Sequence, residues 1–298
     1  MIKRILFRLS RFIAMRSIPR GSSSQSYLQS PNEVDGKNMM TEPVDLHYYT
    51  IGNGFPLILL HGWSADGLSY ALQVPLAYKY RLILPDLRGH GRSPKPRTSC
   101  QARMLASDVN RLLEKLGIGK AIMAGGSFGG LVALQFVLNY PQKVEALILS
   151  DTTSTSAAIL PFMDIMLPVL GRSNAVETLR SMISKLAKAS GMTKTPAGAM
   201  MIEGSFERFA DIDPISLLEV SRGMKDFDVT ERLCEIKVPT LIIAAKKDML
   251  IPFKYTEALR QGISGSECVV IKTDHGTPFL RPDEWNKAVQ SFLQRMGH

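Results

Sequence analysis

The stretch Gly125-Gly126-Ser127-Phe128-Gly129-Gly130 lies between an apolar run, Ala121-Ile122-Met123-Ala124, and a helix-like run, Leu131-Val132-Ala133-Leu134-Gln135-Phe136-Val137. Read in order, this is a strand, a glycine-framed serine and a helix. A serine hydroxyl attacks poorly unless it is held proud of the backbone beside a base. A sharp strand-to-helix turn does this only where the flanking residues lack Cβ bulk. Gly125 and Gly129 supply that room. The amides that open the following helix point toward the serine, so negative charge developing on a substrate oxygen meets unpaired donors and the positive end of the helix dipole. Glycine-serine-glycine clusters also form ordinary tight turns, so the flanking runs and the partner residues decide the reading.

A nucleophilic serine needs a histidine base and an acid to orient that base. The chain has five histidines. In folds with this kind of turn the chain order is serine, acid, histidine, which removes His47, His61 and His90 and leaves His275 and His298. His298 stands at the end of the sequence, where fraying works against a fixed geometry. His275 lies in Lys272-Thr273-Asp274-His275-Gly276-Thr277-Pro278, directly after the β-rich run Glu267-Cys268-Val269-Val270-Ile271. That places it on a loop at the carboxyl end of a strand, where open parallel sheets gather their chemistry. For the acid, Val238-Pro239-Thr240-Leu241-Ile242-Ile243-Ala244-Ala245 reads as a buried strand with Lys246-Lys247-Asp248 at its end. Asp248 is the choice by strand order. Asp151, at the end of the earlier strand Val144–Ser150, stays open as a competitor. Asp274 adjoins His275, but neighbouring side chains diverge in an extended loop, so it reads as a loop cap.

Two further segments fit the same chemistry. Pro56-Leu57-Ile58-Leu59-Leu60 is an apolar strand that ends in His61-Gly62-Trp63-Ser64. A glycine there lets the backbone bend so that the amide of Trp63 faces the serine and, with the amide of Phe128, forms a two-donor oxyanion hole. His61 reads as structural. Arg81-Leu82-Ile83-Leu84-Pro85 leads into Asp86-Leu87-Arg88-Gly89-His90-Gly91-Arg92-Ser93, a tightly hydrogen-bonded scaffold turn in which His90 is held by backbone partners.

From about Val44 to Met296 the chain resembles the α/β-hydrolase fold serine hydrolases of the esterase and lipase branch. The resemblance rests on His61-Gly62-Trp63, the Asp86 to Ser93 turn, the Ser127 turn, Asp248 and His275, in that order. It implies an α/β fold with a mostly parallel central sheet, helices on both faces and an inserted helical lid after the strand ending near Ser150. Carried over residue by residue, it implies Ser127 as nucleophile, His275 as base, Asp248 as orienting acid, and the amides of Trp63 and Phe128 as oxyanion donors. Serine rather than aspartate at the nucleophile position disfavours the dehalogenase and epoxide hydrolase branches. Within the family, Gly125-Gly126-Ser127 is similar to proline iminopeptidases, although His61-Gly62-Trp63-Ser64-Ala65 stands where that group shows His-Gly-Gly-Pro-Gly. His-Gly-Trp is similar to haloperoxidase-like esterases and perhydrolases, and carbon-carbon bond hydrolases share the same triad.

At 298 residues, 45% hydrophobic and 21% charged, the chain is long enough for one large α/β domain with a subdomain. Helices are expected over Met104 to Leu116, Phe128 to Tyr140, Phe253 to Gly262 and Pro282 to Met296, alternating with strands as a parallel sheet requires. The expected organisation is a basic leader and linker over 1–32, a first core part over 33–151, a helical lid over 152–230 and a second core part over 231–298. The lid segment holds seven of the fifteen methionines, and its apolar inventory includes Pro161, Met163, Met166, Leu167, Val169, Leu170, Met182, Met200 and Met201. Most of these pack the lid onto the core, and a subset would line a pocket for an acyl or aromatic group. Cys100, Cys234 and Cys268 are an odd number without metal spacing and read as reduced thiols.

Lys3, Arg4, Arg8, Arg11, Arg16 and Arg20 precede the first acid, Glu33, and the formal charge of +9 falls to +3 once these six are set aside. Overall basicity is therefore no argument for nucleic acid. At helical spacing Ile2, Ile5, Leu6, Leu9, Phe12 and Ile13 share one side, opposite Lys3, Arg4, Arg8 and Arg11. Such a segment could rest on an anionic membrane through residues 1–20 or act as a mitochondrial transit peptide. The protein is accordingly expected inside the cell, cytoplasmic or membrane-surface associated, or mitochondrial. The expected chemistry is acyl transfer to water on a small-molecule ester or related acyl substrate, with no metal and no organic cofactor. A ligand-binding receptor on the same fold is the competing class, and a membrane-surface adaptor working through the leader is a second.

Overall fold

The computed structural model describes residues 42–189 and 213–298. The leader and linker over 1–32, and Met200 and Met201 of the expected lid, lie outside the described residues. The strands are β1 (Tyr48–Ile51), β2 (Phe55–Leu60), β3 (Tyr80–Pro85), β4 (Ala121–Gly126), β5 (Val144–Ser150), β6 (Thr240–Ala245) and β7 (Glu267–Ile271). They form one seven-stranded sheet in the order β1-β3-β2-β4-β5-β6-β7. Only β1 runs antiparallel, pairing Tyr48 with Pro85 and Ile51 with Leu82. The described helices are α1 (Ala102–Lys115), α2 (Phe128–Asn139), α3 (Leu160–Leu170), α4 (Ala175–Ala189), α5 (Pro214–Gly223), α6 (Phe253–Gly262), α7 (Thr277–Leu280) and α8 (Pro282–Arg295).

The inner strands are apolar on both faces because both faces are covered, as a parallel sheet demands. Side chains alternate along each strand, so Ile58, Leu60, Met123, Leu147 and Leu149 join one core with Leu105, Val109 and Leu112 of α1 and Val132 and Phe136 of α2. Their neighbours Leu57, Leu59, Ile122, Ala124, Ala146 and Ile148 face the other way, onto Trp285, Val289, Phe292 and Leu293 of α8. Each buried valine, leucine, isoleucine, methionine or phenylalanine side chain among these contributes about 1.5–3 kcal/mol when removed from water. The helix α2 is apolar almost all round and is buried from Phe128 to Leu134, as befits a helix under the middle of the sheet.

Strand order places the chemistry. From β2 the chain crosses to β3 on one side, then returns past β2 to β4 on the other, so the direction of winding reverses between β2 and β4. A crevice opens at the carboxyl ends of the strands at such a reversal. The register sets Leu60, the last residue of β2, beside Gly125 of β4. The loop after β2 and the turn after β4 are thereby neighbours.

Helices α3, α4 and α5 fall between β5 and β6. The two stems of this insertion run side by side: Ser156 N donates to Phe227 O at 2.7 Å, Val229 N to Ser154 O at 2.9 Å, and the hydroxyls of Ser154 and Thr230 meet at 2.8 Å. Asp213 caps α5 by accepting from Ile215 N at 3.1 Å, and Pro214 opens the helix. The insertion has its own small core of Met166, Val169, Leu170, Leu179 and Leu217, against which Trp63 and Phe162 pack.

Candidate active site

Ser127 follows β4 and precedes α2 with φ +51° and ψ −120°, a left-handed backbone that costs a non-glycine residue on the order of 1–3 kcal/mol. The surroundings hold it there. Its amide donates to Ser150 O at 2.9 Å, and its carbonyl accepts from Gly130 N at 2.9 Å and from Thr152 Oγ1 at 2.7 Å. The flanking glycines are a steric requirement, since a Cβ on Gly125 would stand 2.3 Å from Gly129 O, and one on Gly129 would stand 2.1 Å from Leu60 O. Ser127 is thus presented at the head of an apolar helix whose first amides have no partner within the helix.

The loop after β2 faces this turn, because a Cβ built on Gly62 would lie 3.7 Å from Ser127 Cβ. His61 is fully buried and contacts backbone on both sides. Its Nε2 accepts from Leu87 N at 2.9 Å, which leaves Nδ1–H to donate to Gly62 O at 2.8 Å. Ala65 N also donates to Gly62 O, at 3.3 Å. A trans peptide is planar, so fixing the Gly62 carbonyl fixes the opposite direction of the Trp63 N–H. Burial pushes the His61 pKa down, which keeps the ring neutral in this role. The indole of Trp63 donates to Ser221 Oγ of α5 at 2.9 Å and meets Phe162 of α3 edge-on at 5.7 Å.

Asp248 and His275 approach from the ends of β6 and β7. The Asp248 side chain is 3% exposed, with Oδ1 accepting from Leu250 N at 2.9 Å and Ile251 N at 2.8 Å. Oδ2 lies 2.7 Å from His275 Nδ1. A carboxylate only accepts, so Nδ1 carries the proton and Nε2 presents its lone pair. Burial opposes charge on His275, but the Asp248 hydrogen bond and the charges of Asp248 and Asp151 outweigh it and leave the pKa above the ordinary histidine value.

Asp151, the other acid considered, touches the same segment at its backbone. Its Oδ2 accepts from Gly276 N at 3.2 Å, Thr277 N at 2.6 Å and Thr277 Oγ1 at 2.8 Å. Burial, opposed by His275 and the Thr277 bonds, pushes its pKa up to about 6. The contacts of Thr152 and Asp151 are not legible in the sequence. The one signal these residues give is position, directly after the strand that pairs with the Ser127 strand.

Of the remaining histidines, His90 is buried with Nδ1 3.1 Å from Arg88 O, and burial takes its pKa down to about 3. His47 binds Asp86 at 3.1 Å. Asp86 also accepts from Gly67 N at 2.8 Å and Arg92 N at 2.9 Å, which makes the Asp86–Ser93 turn a scaffold. Among the described residues no cluster of metal-ligating side chains occurs, and no helix is long and apolar enough to cross a membrane.

Comparison with known proteins agrees with this architecture. A pimeloyl-[acyl-carrier protein] methyl ester esterase of Vibrio parahaemolyticus is 28% identical over 256 residues, 84% of this chain and 98% of that one. A 2-hydroxy-6-oxo-6-phenylhexa-2,4-dienoate hydrolase of Comamonas testosteroni is 29% identical over 265 residues, 84% of this chain and 91% of that one. Among solved structures, a thermophilic esterase from Thermogutta terrifontis superposes with a TM-score of 0.73 at 26% identity, covering 84% of this chain and 93% of the other. The family model described as alpha/beta hydrolase fold matches residues 56–282, and the chain belongs to that family.

Proposed function

We propose that this protein is a serine hydrolase that cleaves a carboxylic ester, thioester or related acyl bond through an acyl-enzyme on Ser127. In this reading Ser127 Oγ attacks the substrate carbonyl while His275 Nε2 takes its proton. Asp248 holds the Nδ1–H and stabilises the imidazolium that forms. The oxyanion of the tetrahedral intermediate is received by the amides of Trp63 and Phe128. Collapse breaks the bond to the leaving group, which takes the proton from His275. Water, deprotonated by His275, then attacks the acyl carbonyl and restores Ser127.

The observation that carries the reading is the 2.7 Å contact of His275 with an acid already pinned by two backbone amides, on a loop tied to the strand that receives the Ser127 amide. Likeness to a methyl ester esterase and to a bacterial esterase supports a small-molecule ester as substrate. Trp63, Phe162 and the half-buried Met182 supply an apolar wall for its acyl or aromatic part, with the insertion acting as a lid. Ser127→Ala tests the assignment. Loss of the nucleophile in a comparable triad costs on the order of 10⁶ in turnover, so a short p-nitrophenyl ester should be hydrolysed only at trace rates. Turnover equal to wild type would remove Ser127 from the chemistry.

A further inference from the structure

We propose that Asp151-Thr152 is a two-sided clasp that sets the nucleophile turn and the base loop in register with each other, and that both residues are positioning residues of this site. The inference rests on the roles proposed above for Ser127 and His275. Both side chains are buried, Asp151 at 4% and Thr152 at 2% exposed. The Thr152 hydroxyl donates to the carbonyl of Ser127 at 2.7 Å, so it grips the left-handed residue itself. The Asp151 carboxylate gathers three donors from the two residues that follow His275, the amides of Gly276 and Thr277 and the Thr277 hydroxyl.

The backbone between the two grips is fixed as well. Asp151 has φ +46°, its amide donates to Ile243 O of β6 at 2.9 Å, and the preceding carbonyl, Ser150 O, receives the Ser127 amide. Successive side chains of an extended strand point to opposite faces, and a left-handed residue at 151 breaks that alternation. Adjacent side chains can then serve loops from different strands. Gly130 completes the fit, since a Cβ there would come within 2.3 Å of Thr152 Oγ1. Nucleophile and base are separated by almost half the chain, so no local geometry relates them. A shared anchor at the end of β5 does.

Misplacing a reacting group by about 1 Å can cost on the order of 100-fold in rate. Thr152→Val keeps shape and removes the donor, so it should lower kcat and the rate of fluorophosphonate labelling together by about 10–100-fold, with KM nearly unchanged. Thr152→Ser should restore most of the loss. Thr277→Val, which removes one of the Asp151 grips, tests the other side by the same readouts and serves if Thr152→Val does not fold. Asp151→Asn keeps an acceptor oxygen for Gly276 and Thr277 and should lose far less than the factor of about 10⁴ seen when an orienting acid becomes an amide. Leu293→Ala, a core substitution away from the site, should lower Tm without changing kcat. Wild-type kcat in Thr152→Val, or in Thr277→Val, overturns the clasp. So does loss of kcat in Leu293→Ala equal to that in Thr152→Val, or a loss of about 10⁴ in Asp151→Asn. Full activity in Ser127→Ala would instead overturn the nucleophile assignment, so the two failures are distinguishable.

Discussion

Asp248→Asn gives a prediction whose size follows from the contacts. The acid presents two distinct oxygens: Oδ1 takes the amides of Leu250 and Ile251, and Oδ2 meets His275 Nδ1. An asparagine has one acceptor oxygen and one NH₂ group. Its oxygen belongs at the Oδ1 position, because the NH₂ group there would face two backbone donors and leave buried polar groups unpaired, at about 1–3 kcal/mol each. The NH₂ group must then face His275. Nδ1 becomes an acceptor, the ring proton moves to Nε2, and the atom that should take the Ser127 proton no longer can. Fold and substrate binding are untouched, so the loss falls on kcat. An amide in place of the orienting acid of such a triad costs about 10⁴ in kcat, or roughly 5.4 kcal/mol of transition-state stabilisation at 1.36 kcal/mol per factor of ten. Stopped-flow hydrolysis of p-nitrophenyl acetate measures both acylation and turnover. A kcat within ten-fold of wild type, at unchanged thermal stability, would refute the reasoning and return Asp151 to consideration as the acid.

The acid limb of the kcat/KM profile should have its midpoint above the ordinary histidine value, because His275, as the proposed base, must be neutral to accept a proton and its pKa is raised. Activity is then lost as pH falls through that midpoint, and Asp248→Asn should move the residual limb to lower pH, since burial is then opposed by the charge of Asp151 without the Asp248 hydrogen bond and charge; a limb below the ordinary value in wild type would contradict this. His61→Ala removes the acceptor of Leu87 N and the donor to Gly62 O. It should cost about 1–3 kcal/mol in urea unfolding and lower kcat by about 10–100-fold through a loosened Trp63 amide. Arg88→Ala takes the cation from the fully buried carboxylate of Asp108, now held by Arg88 Nε at 2.7 Å, while the Val44 amide at 2.8 Å still donates to it, and should destabilise the fold by about 3–5 kcal/mol. A shift below 1 kcal/mol in denaturant titration would show that the Arg88 cation is not needed to keep Asp108 buried.

Parts of this molecule are written plainly in its sequence for physical reasons. Strands β2, β4, β5 and β6 are covered on both faces and so appear as continuous apolar runs, and the Ser127 turn announces itself because backbone at 2.1–2.3 Å permits only glycine at 125 and 129. Helix ends moved by a residue or two, as with Ala102–Lys115 against the expected 104–116. β1 has no such signature, since Tyr48–Ile51 is a short edge strand with no buried residue and its pairing with β3 leaves no apolar run. The 3₁₀ stretch Gly67–Tyr78, kinked at Tyr70 and containing Pro75, has neither helical nor strand periodicity. Asp248 and His275, which meet at 2.7 Å, are both singled out by their places after strands. The grips of Asp151 on Gly276 and Thr277, of Thr152 on Ser127, and of His61 on Gly62 are not, because a side chain that binds backbone leaves no spacing to read.

The central claim is that Ser127 is an activated nucleophile, and covalent labelling tests it without knowledge of the substrate. The full-length protein is incubated with a fluorophosphonate and digested, and the modified peptide is identified by mass spectrometry. The account predicts a single adduct on Ser127, formed rapidly in wild type and far more slowly in Asp248→Asn. An unlabelled Ser127 in protein that still hydrolyses esters, or an adduct on another residue that abolishes that hydrolysis, would contradict it.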